Sequence, residues 1–231
     1  MKRTTFVIFI IVMGAICFLI NAPAVFGEQK IGVIVVDMQG DFTTWKKGSL
    51  AVNDTDGAFV AKVEKTTVML KEKGYPIFAT QDWHPAEHVS FFSNNQGTEV
   101  MQVIEIDGRP QVMWPPHCVQ NTPGAEILIT VDDSNKTVRK GMDPPFDSYS
   151  GFADDGGHKT DLDNLLQKDG IKKVILYGLA TDYCVKATAL DAIQAGYKVD
   201  LIIDLCRGVS PDTTASALEE MKDRGVTIVR K

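Results

Sequence analysis

Short apolar and β-branched segments alternate with helical patterns along most of the chain after residue 30. The segments predict six strands, at residues 31–36, 76–80, 136–139, 173–177, 198–203 and 226–229. The first segment, Ile-Gly-Val-Ile-Val-Val, contains no polar position. Such a run is typical of a strand that is buried on both faces of a parallel sheet.

The segments between these strands carry helical periodicity and helix-ending glycines. Helices are predicted at residues 58–73, 161–168, 181–195 and 211–224. Strands that alternate with helices predict an α/β fold, a three-layer, doubly wound and mostly parallel six-stranded sheet with helices on both faces. Residues 90–130 are rich in Pro, Asn and Gly and weakly periodic, which predicts a long functional excursion over the sheet.

The first 27 residues follow a different pattern. Lys2 and Arg3 precede the apolar run Phe6–Ile20, and small residues with a proline follow it. This layout predicts a signal peptide at residues 1–27 and an exported protein, periplasmic or secreted after cleavage. The alternative is a retained anchor, but a spanning helix needs about 20 apolar residues, so we expect no stable membrane span in the mature form.

Composition and charge limit the classes of protein to which this chain can belong. The 231 residues, 44% hydrophobic and 23% charged, suit one globular domain. The net charge of −6 becomes −8 when Lys2 and Arg3 leave, which argues against binding to nucleic acid. Cleavage would leave three cysteines, Cys118, Cys184 and Cys206. An odd number in an oxidising compartment requires a free thiol or a pairing between chains, and a homo-oligomer is one possibility.

Residues that can act in catalysis or bind a metal ion follow the predicted strands. Ligands of doubly wound sheets bind beyond the carboxyl ends of the strands, where the strand order reverses. Asp37 follows the first strand, Asp82 and His84 the second, Lys140 the third and Cys184 the fourth. We therefore expect these five residues to meet at one edge of the sheet.

Cys184 is the candidate nucleophile. It follows Gly178 by six residues, so it lies in the first turn of a helix that Thr181 or Asp182 could cap. The helix dipole and the unpaired N–H groups there favour a thiolate and could hold an oxyanion. Asp37 is a candidate base and Lys140 a candidate cation for this thiol.

Six motifs in this chain carry a family resemblance. They are DMQGDF, QDWHPAEH, WPPHC, RKG, DSYSGF and GLATDYCV. In this order and approximate spacing, they resemble the nicotinamidase branch of the isochorismatase-like cysteine hydrolases. The resemblance covers residues 31–231 as one hydrolase domain.

The resemblance implies roles for the residues at the strand ends. Asp37, Lys140 and Cys184 would form a catalytic triad. The backbone N–H groups of Ala180 and Cys184 would form an oxyanion hole, with a cis peptide bond between Leu179 and Ala180.

The resemblance also implies one divalent metal ion. Asp82, His84 and His117 would bind it, and His88 is a ligand in only some relatives. This ligand set suits zinc, iron or manganese. The ion would orient the substrate ring, so we expect its removal to change the reactivity of Cys184 little. Three aromatic side chains would form the walls around a flat substrate: Phe42, Trp114 and Tyr183.

The implied activity is hydrolysis of nicotinamide to nicotinate and ammonia through a thioester, with pyrazinamide as a second substrate, in NAD salvage or nicotinamide scavenging. One alternative is a related amidase acting on N-carbamoyl or ureido amides, against which the aromatic walls and the metal motif argue. Another is a non-catalytic metal-binding protein, but every triad residue is present.

Overall fold

A computed structural model describes residues 29–131 and 136–230. The strands in this part of the chain are β1 Ile31–Val36, β2 Ile77–Asp82, β3 Val103–Ile106, β4 Arg109–Val112, β5 Thr137–Lys140, β6 Lys173–Leu179, β7 Lys198–Arg207 and β8 Thr227–Val229. Six of them form one sheet in the order β5-β2-β1-β6-β7-β8, and each neighbouring pair is parallel. The predicted six-stranded sheet is confirmed.

The strand order reverses between β1 and β6. From β1 the chain proceeds outward through β2 to β5, and from β6 it proceeds in the other direction through β7 to β8. This is a doubly wound arrangement, which opens a crevice at the carboxyl ends of the two central strands. The predicted signal peptide, residues 1–27, lies outside the described residues.

Four α-helices accompany the sheet: α1 Gly57–Glu72, α2 Leu162–Lys168, α3 Lys186–Gln194 and α4 Pro211–Asp223. Helix α1 links β1 to β2, whereas α3 and α4 link β6, β7 and β8 in the opposite direction across the sheet. Because crossovers between parallel strands are right-handed, α1 covers one face and α3 and α4 cover the other. Among the described residues, no helix is both long enough and apolar enough to span a membrane.

The core lies on both sides of β1. Val33, Ile34, Val35 and Val36 are at most 1% exposed, as expected for a strand with apolar residues on both faces. This burial fixes the position of the residue that follows β1, and therefore one wall of the crevice.

Two elements differ from the prediction. Strands β3 and β4 pair as an antiparallel hairpin within the excursion, where no strand was predicted. Exposed positions alternate with half-buried ones in β3, so the segment lacks the strong apolar pattern of the central strands. The residues Thr181–Val185, predicted as the start of an α-helix, form a separate π-helical turn before α3.

Candidate active site

The predicted residues meet at the carboxyl ends of the central strands. Asp37 follows β1, and Cys184 lies in the turn after β6, on the two sides of the point where the strand order reverses. Asp82 and Lys140 are the last residues of β2 and β5 and stand opposite each other in the parallel register. Their side chains therefore leave the sheet side by side, towards the crevice.

Lys140 is the centre of the site. Its ammonium donates to the carboxylate of Asp82 and, over 2.8 Å, to the carbonyl of Ser148. The same nitrogen lies 3.0 Å from Asp37 Oδ2 and 3.4 Å from Cys184 Sγ. Burial alone would lower the pKa of Lys140, but the carboxylates of Asp37 and Asp82 raise it well above its ordinary value. The lysine therefore remains a buried cation.

Asp37 is held in a conformation that is uncommon for its residue type. Its φ is 45°, and its N–H and Oδ1 both hydrogen bond the Thr80 hydroxyl, over 3.2 Å and 2.6 Å. Burial raises the pKa of Asp37, although Lys140 opposes the rise. Oδ2 makes no aligned hydrogen bond to the described residues, and a ligand oxygen of Asp37 lies within 4.8 Å of Cys184 Sγ. This carboxylate is placed to accept a proton.

The surroundings of Cys184 act on its thiol in two directions. No side chain caps the π-helical turn that carries it, and Asp182 instead accepts hydrogen bonds from the N–H groups of Val209 and Ser210. Burial raises the pKa of Cys184 well above its ordinary value, and Lys140 acts in the opposite direction. The ammonium of Lys140 is therefore the contact that favours the thiolate in this buried position.

The residue before the π-helical turn also faces the crevice. Ala180 lines it, and the peptide bond between Leu179 and Ala180 is cis, as the family resemblance implies. Ala180 and Cys184 therefore line the same cavity.

Asp82, His84 and His117 form a second cluster beside Lys140. Asp82 Oδ2 lies 3.6 Å from His84 Nε2 and 4.0 Å from His117 Nε2. The Nδ1 atoms of the histidines hydrogen bond the carbonyls of Gly141 and Pro115, over 2.9 Å and 2.8 Å. Because a carbonyl only accepts, each Nδ1 carries the hydrogen and each Nε2 presents its lone pair to the cluster when the ring is neutral. One ligand atom from each residue lies within 4.8 Å of the others, so the donors fit a metal ion.

His88 lies beside this cluster but does not join it. Its ring stacks on His84, with 4.3 Å between the ring centroids. Nδ1 is engaged with Ser90, and Nε2 donates to the carbonyl of Phe146 over 3.1 Å. Both nitrogens of His88 are therefore hydrogen bonded to the protein, in contrast to the Nε2 atoms of His84 and His117.

The three predicted aromatic residues line one cavity with Cys184. The rings of Trp114 and Tyr183 meet edge to face at 4.9 Å, and Phe42 contacts His117 at 5.5 Å between ring centroids. The cavity is small and opens to solvent, and the aromatic side chains form much of its apolar lining. A larger groove beside β5 and α2 contains none of the triad or cluster residues, so the smaller cavity is the candidate site.

The sequence analysis missed several residues of this cavity. They are Leu50, Val52, Asp147, Ser148, Tyr149 and Val209. Tyr149 accepts a hydrogen bond from the Trp114 indole over 3.1 Å. Asp147, Ser148 and Tyr149 belong to the motif DSYSGF, whose polar and aromatic residues side by side were the available signal.

The family model of the isochorismatase domain matches residues 32–231, nearly the whole chain. The chain belongs to the isochorismatase domain family. The two central strand ends of this isochorismatase domain carry Asp37 and Cys184, and the match includes all of the site residues described above.

Individual relatives of this isochorismatase domain are similar along most of their length. The chain is 43% identical to the nicotinamidase of Escherichia coli (strain K12) over 201 residues, which cover 85% of this chain and 92% of the relative. A structure described as an Acinetobacter baumanii nicotinamidase and pyrazinamidase superposes with a TM-score of 0.79 at 35% identity, covering 88% and 97% of the two chains. The pyrazinamidase of Pyrococcus horikoshii, solved in complex with zinc, gives a TM-score of 0.73 at 40% identity, covering 87% and 99%.

Proposed function

We propose that this isochorismatase domain is a metal-containing cysteine amidohydrolase that converts nicotinamide to nicotinate and ammonia, and also accepts pyrazinamide. One observation carries the proposal: Lys140 contacts both Asp37 and Cys184, and Cys184 lines a small aromatic cavity. The nicotinamidases and pyrazinamidases among its relatives support the choice of substrate.

The acylation step uses the proton of Cys184. Asp37 removes this proton as the sulfur attacks the carboxamide carbon, and Lys140 stabilises the negative charge that develops. The N–H groups of Ala180 and Cys184 hold the oxyanion. When the C–N bond breaks, Asp37 returns the proton to the leaving group, so ammonia departs and a thioester remains.

The deacylation step returns the enzyme to its starting state. Asp37 takes a proton from water, the resulting hydroxide attacks the thioester carbonyl, and the C–S bond breaks. The sulfur regains the proton from Asp37, and the aromatic acid leaves. The raised pKa of Asp37 suits a group that accepts and donates the same proton in both steps.

Asp82, His84 and His117 would hold one divalent ion, zinc, iron or manganese. When bound, it would supply positive charge and a coordination position for the ring nitrogen. Phe42, Trp114 and Tyr183 would hold the flat faces of the ring, so the amide carbon would lie near Cys184.

Ammonia release from nicotinamide and pyrazinamide by the purified, metal-loaded protein tests this function. We expect hydrolysis of both amides, and mass spectrometry of a quenched reaction should find an acyl adduct on Cys184. A protein that binds metal at the cluster but releases no ammonia would support the non-catalytic alternative.

The second candidate activity is hydrolysis of N-carbamoyl or ureido amides with the same triad. This activity would use the same triad, because the triad itself does not select the substrate. The aromatic walls of the cavity favour a substrate with a ring. A panel of amides separates the two activities. Faster turnover of a non-aromatic carbamoyl compound than of nicotinamide would favour the second.

We also propose that the protein is exported and acts on nicotinamide in the periplasm or outside the cell. The layout of residues 1–27 supports this location. Cell fractionation, with mass spectrometry of the amino terminus of the recovered protein, tests it. A full-length protein in the cytoplasmic fraction would contradict export.

A further inference from the structure

A buried amide outside the cavity contacts the segment that holds the catalytic lysine. Gln111 lies on β4 of the hairpin and is 6% exposed. Its Nε2 donates to Asp147 Oδ2 over 2.8 Å and to the carbonyl of Val112 over 2.9 Å. Both partners are acceptors, which fixes the orientation of the amide. Gln111 does not itself line the cavity.

Asp147 links Gln111 to the next residue, Ser148. Its second oxygen, Oδ1, accepts the N–H of Ser148 over 2.8 Å. The carbonyl of the same Ser148 accepts from the ammonium of Lys140 over 2.8 Å. Three consecutive hydrogen bonds therefore connect the amide of Gln111 to the cation that contacts Asp37 and Cys184.

Other contacts hold the same segment from the same side. Arg109 lies two residues before Gln111 on β4, so both side chains leave the same face of the hairpin. The Arg109 guanidinium donates to the carbonyl of Pro145 over 3.2 Å and stacks on Phe146 at 4.3 Å. The carbonyl of Phe146 in turn accepts from His88. The hairpin therefore holds the segment before Ser148 together with His88 and with the N–H of Asp155, which donates to the carbonyl of Asp147 over 2.8 Å.

We propose that Gln111 is a positioning residue for the proposed reaction. Through Asp147 it fixes the Ser148 carbonyl, which holds Lys140 at 3.4 Å from the Cys184 sulfur. Loss of this amide lets the carbonyl turn and the ammonium move away from Cys184. The proposal rests on the proposed function only for the effect on amide hydrolysis, because the effect on the thiol needs no substrate.

The main test replaces Gln111 with methionine, which keeps the volume and removes the donors. We expect Gln111→Met to slow alkylation of Cys184 by iodoacetamide about threefold to tenfold, since a displaced ammonium no longer stabilises the negative charge on the sulfur. The kcat for nicotinamide should fall about tenfold to a hundredfold, with a smaller change in KM. Glu105→Gln, an exposed change on the same hairpin, should leave both rates at the wild-type level.

An exchange of the two polar groups tests the contact itself. In Gln111→Glu the two carboxylates would face each other, and we expect the largest loss of both rates. Adding Asp147→Asn restores a hydrogen bond, because the new amide at position 147 would donate to the new carboxylate at position 111 and still accept the N–H of Ser148. The double variant should recover most of the lost alkylation rate, although the contact with the carbonyl of Val112 remains lost.

The circular dichroism spectrum and the metal content of each variant are measured together with its rates. They show whether a slower rate comes from a change in fold. Wild-type alkylation in a folded Gln111→Met protein would overturn the proposal, as would a double variant no faster than Gln111→Glu alone. If Gln111→Met does not fold, the comparison of Gln111→Glu with the double variant decides. If the wild type hydrolyses no amide but Gln111→Met still slows alkylation, the proposed function fails and the positioning role stands.

Discussion

Lys140 donates a hydrogen bond to the same Asp82 carboxylate that faces His84 and His117. Asp82 Oδ1 is on the side of the triad, and Oδ2 is on the side of the two histidines. A ligand oxygen of Asp82 also lies within 4.8 Å of Cys184 Sγ. The metal-ligand cluster and the nucleophile therefore share one carboxylate, which the sequence did not indicate.

This shared carboxylate changes the expected effect of metal removal. With no cation on its Oδ2 side, the charge of Asp82 acts more strongly on Cys184 and raises the pKa of the thiol. We expect chelation to slow alkylation of Cys184 by several-fold to about tenfold, because less of the sulfur is then present as thiolate. The change should reverse when zinc is added back. An unchanged alkylation rate in metal-free, folded protein would support the earlier expectation that the ion acts on the substrate alone.

The two histidines nearest each other should differ in their effect on metal content. His84→Ala removes a ligand nitrogen, so we expect little bound metal after dialysis. His88→Phe keeps a ring against His84 and removes no ligand atom, so metal binding should weaken by about tenfold to a hundredfold, the usual range for an outer partner. Metal analysis of both purified variants checks this. Equal loss of metal in the two variants would place His88 among the ligands.

The nucleophile prediction compares two of the buried cysteines, Cys184 and Cys206. Cys184→Ala should lower kcat by about 10⁴-fold or more, because removal of a nucleophile leaves only binding and oxyanion contacts. Cys206→Ala should keep near wild-type activity, since its sulfur contacts the carbonyl of Ile202 and does not line the cavity. Ammonia release measures both. Comparable activity of Cys184→Ala and the wild type would exclude the thioester mechanism.

Asp182 should contribute to stability and not to thiol chemistry. Its carboxylate accepts N–H groups of Val209 and Ser210 over 2.9 Å and 3.3 Å and the hydroxyl of Thr213 over 2.5 Å. Asp182→Ala removes the side-chain acceptor of the N–H groups of Val209 and Ser210, so the free energy of unfolding should fall by about 2–3 kcal/mol. Urea denaturation measures the change, with Asp212→Ala on the exposed surface as control. A loss of less than about 0.5 kcal/mol, typical of a surface change, would contradict this role.

Buried thiols should make the fold sensitive to alkaline pH. Burial raises the pKa of Cys206 to about 12 from an unfolded value near 9. Its contribution to stability is therefore complete below pH 9 and is lost as the pH rises towards 12, because the unfolded chain releases its proton first. Unfolding midpoints between pH 8 and pH 11 should fall less steeply for Cys206→Val than for the wild type. Parallel curves would contradict the assignment.

The central sheet was predictable because burial on two faces leaves a continuous apolar pattern, as in Ile31–Val36. The hairpin was not, because β3 alternates exposed and half-buried positions. Its turn, Asp107-Gly108, has positive φ at both residues, and this dipeptide between short strands was the signal available. The π-helical turn at Thr181–Val185 has no comparable sequence pattern that separates it from the helix after it.

Within the site, residues at strand ends were predictable from topology alone, since parallel strands bring Asp37, Asp82 and Lys140 to one edge. Asp147 and Tyr149 were not, because their positions depend on contacts made by the excursion. The burial of Cys184 could not be predicted either. A position at a helix start favours a low thiol pKa, whereas burial of the sulfur raises it.

The parallel sheet has a further consequence for how the enzyme can be mounted on a surface. Strand β1 starts at Ile31, and the site residues follow its other end at Val36. The amino end of the described domain and the cavity therefore lie at opposite ends of the parallel strands. They are separated by about 20 Å, the length of a six-residue strand. A support or lipid layer attached ahead of Ile31 would therefore face the amino ends of the strands, away from the cavity. The substrate entrance would stay open to the bulk solution, which makes this end the preferred point for immobilising the protein.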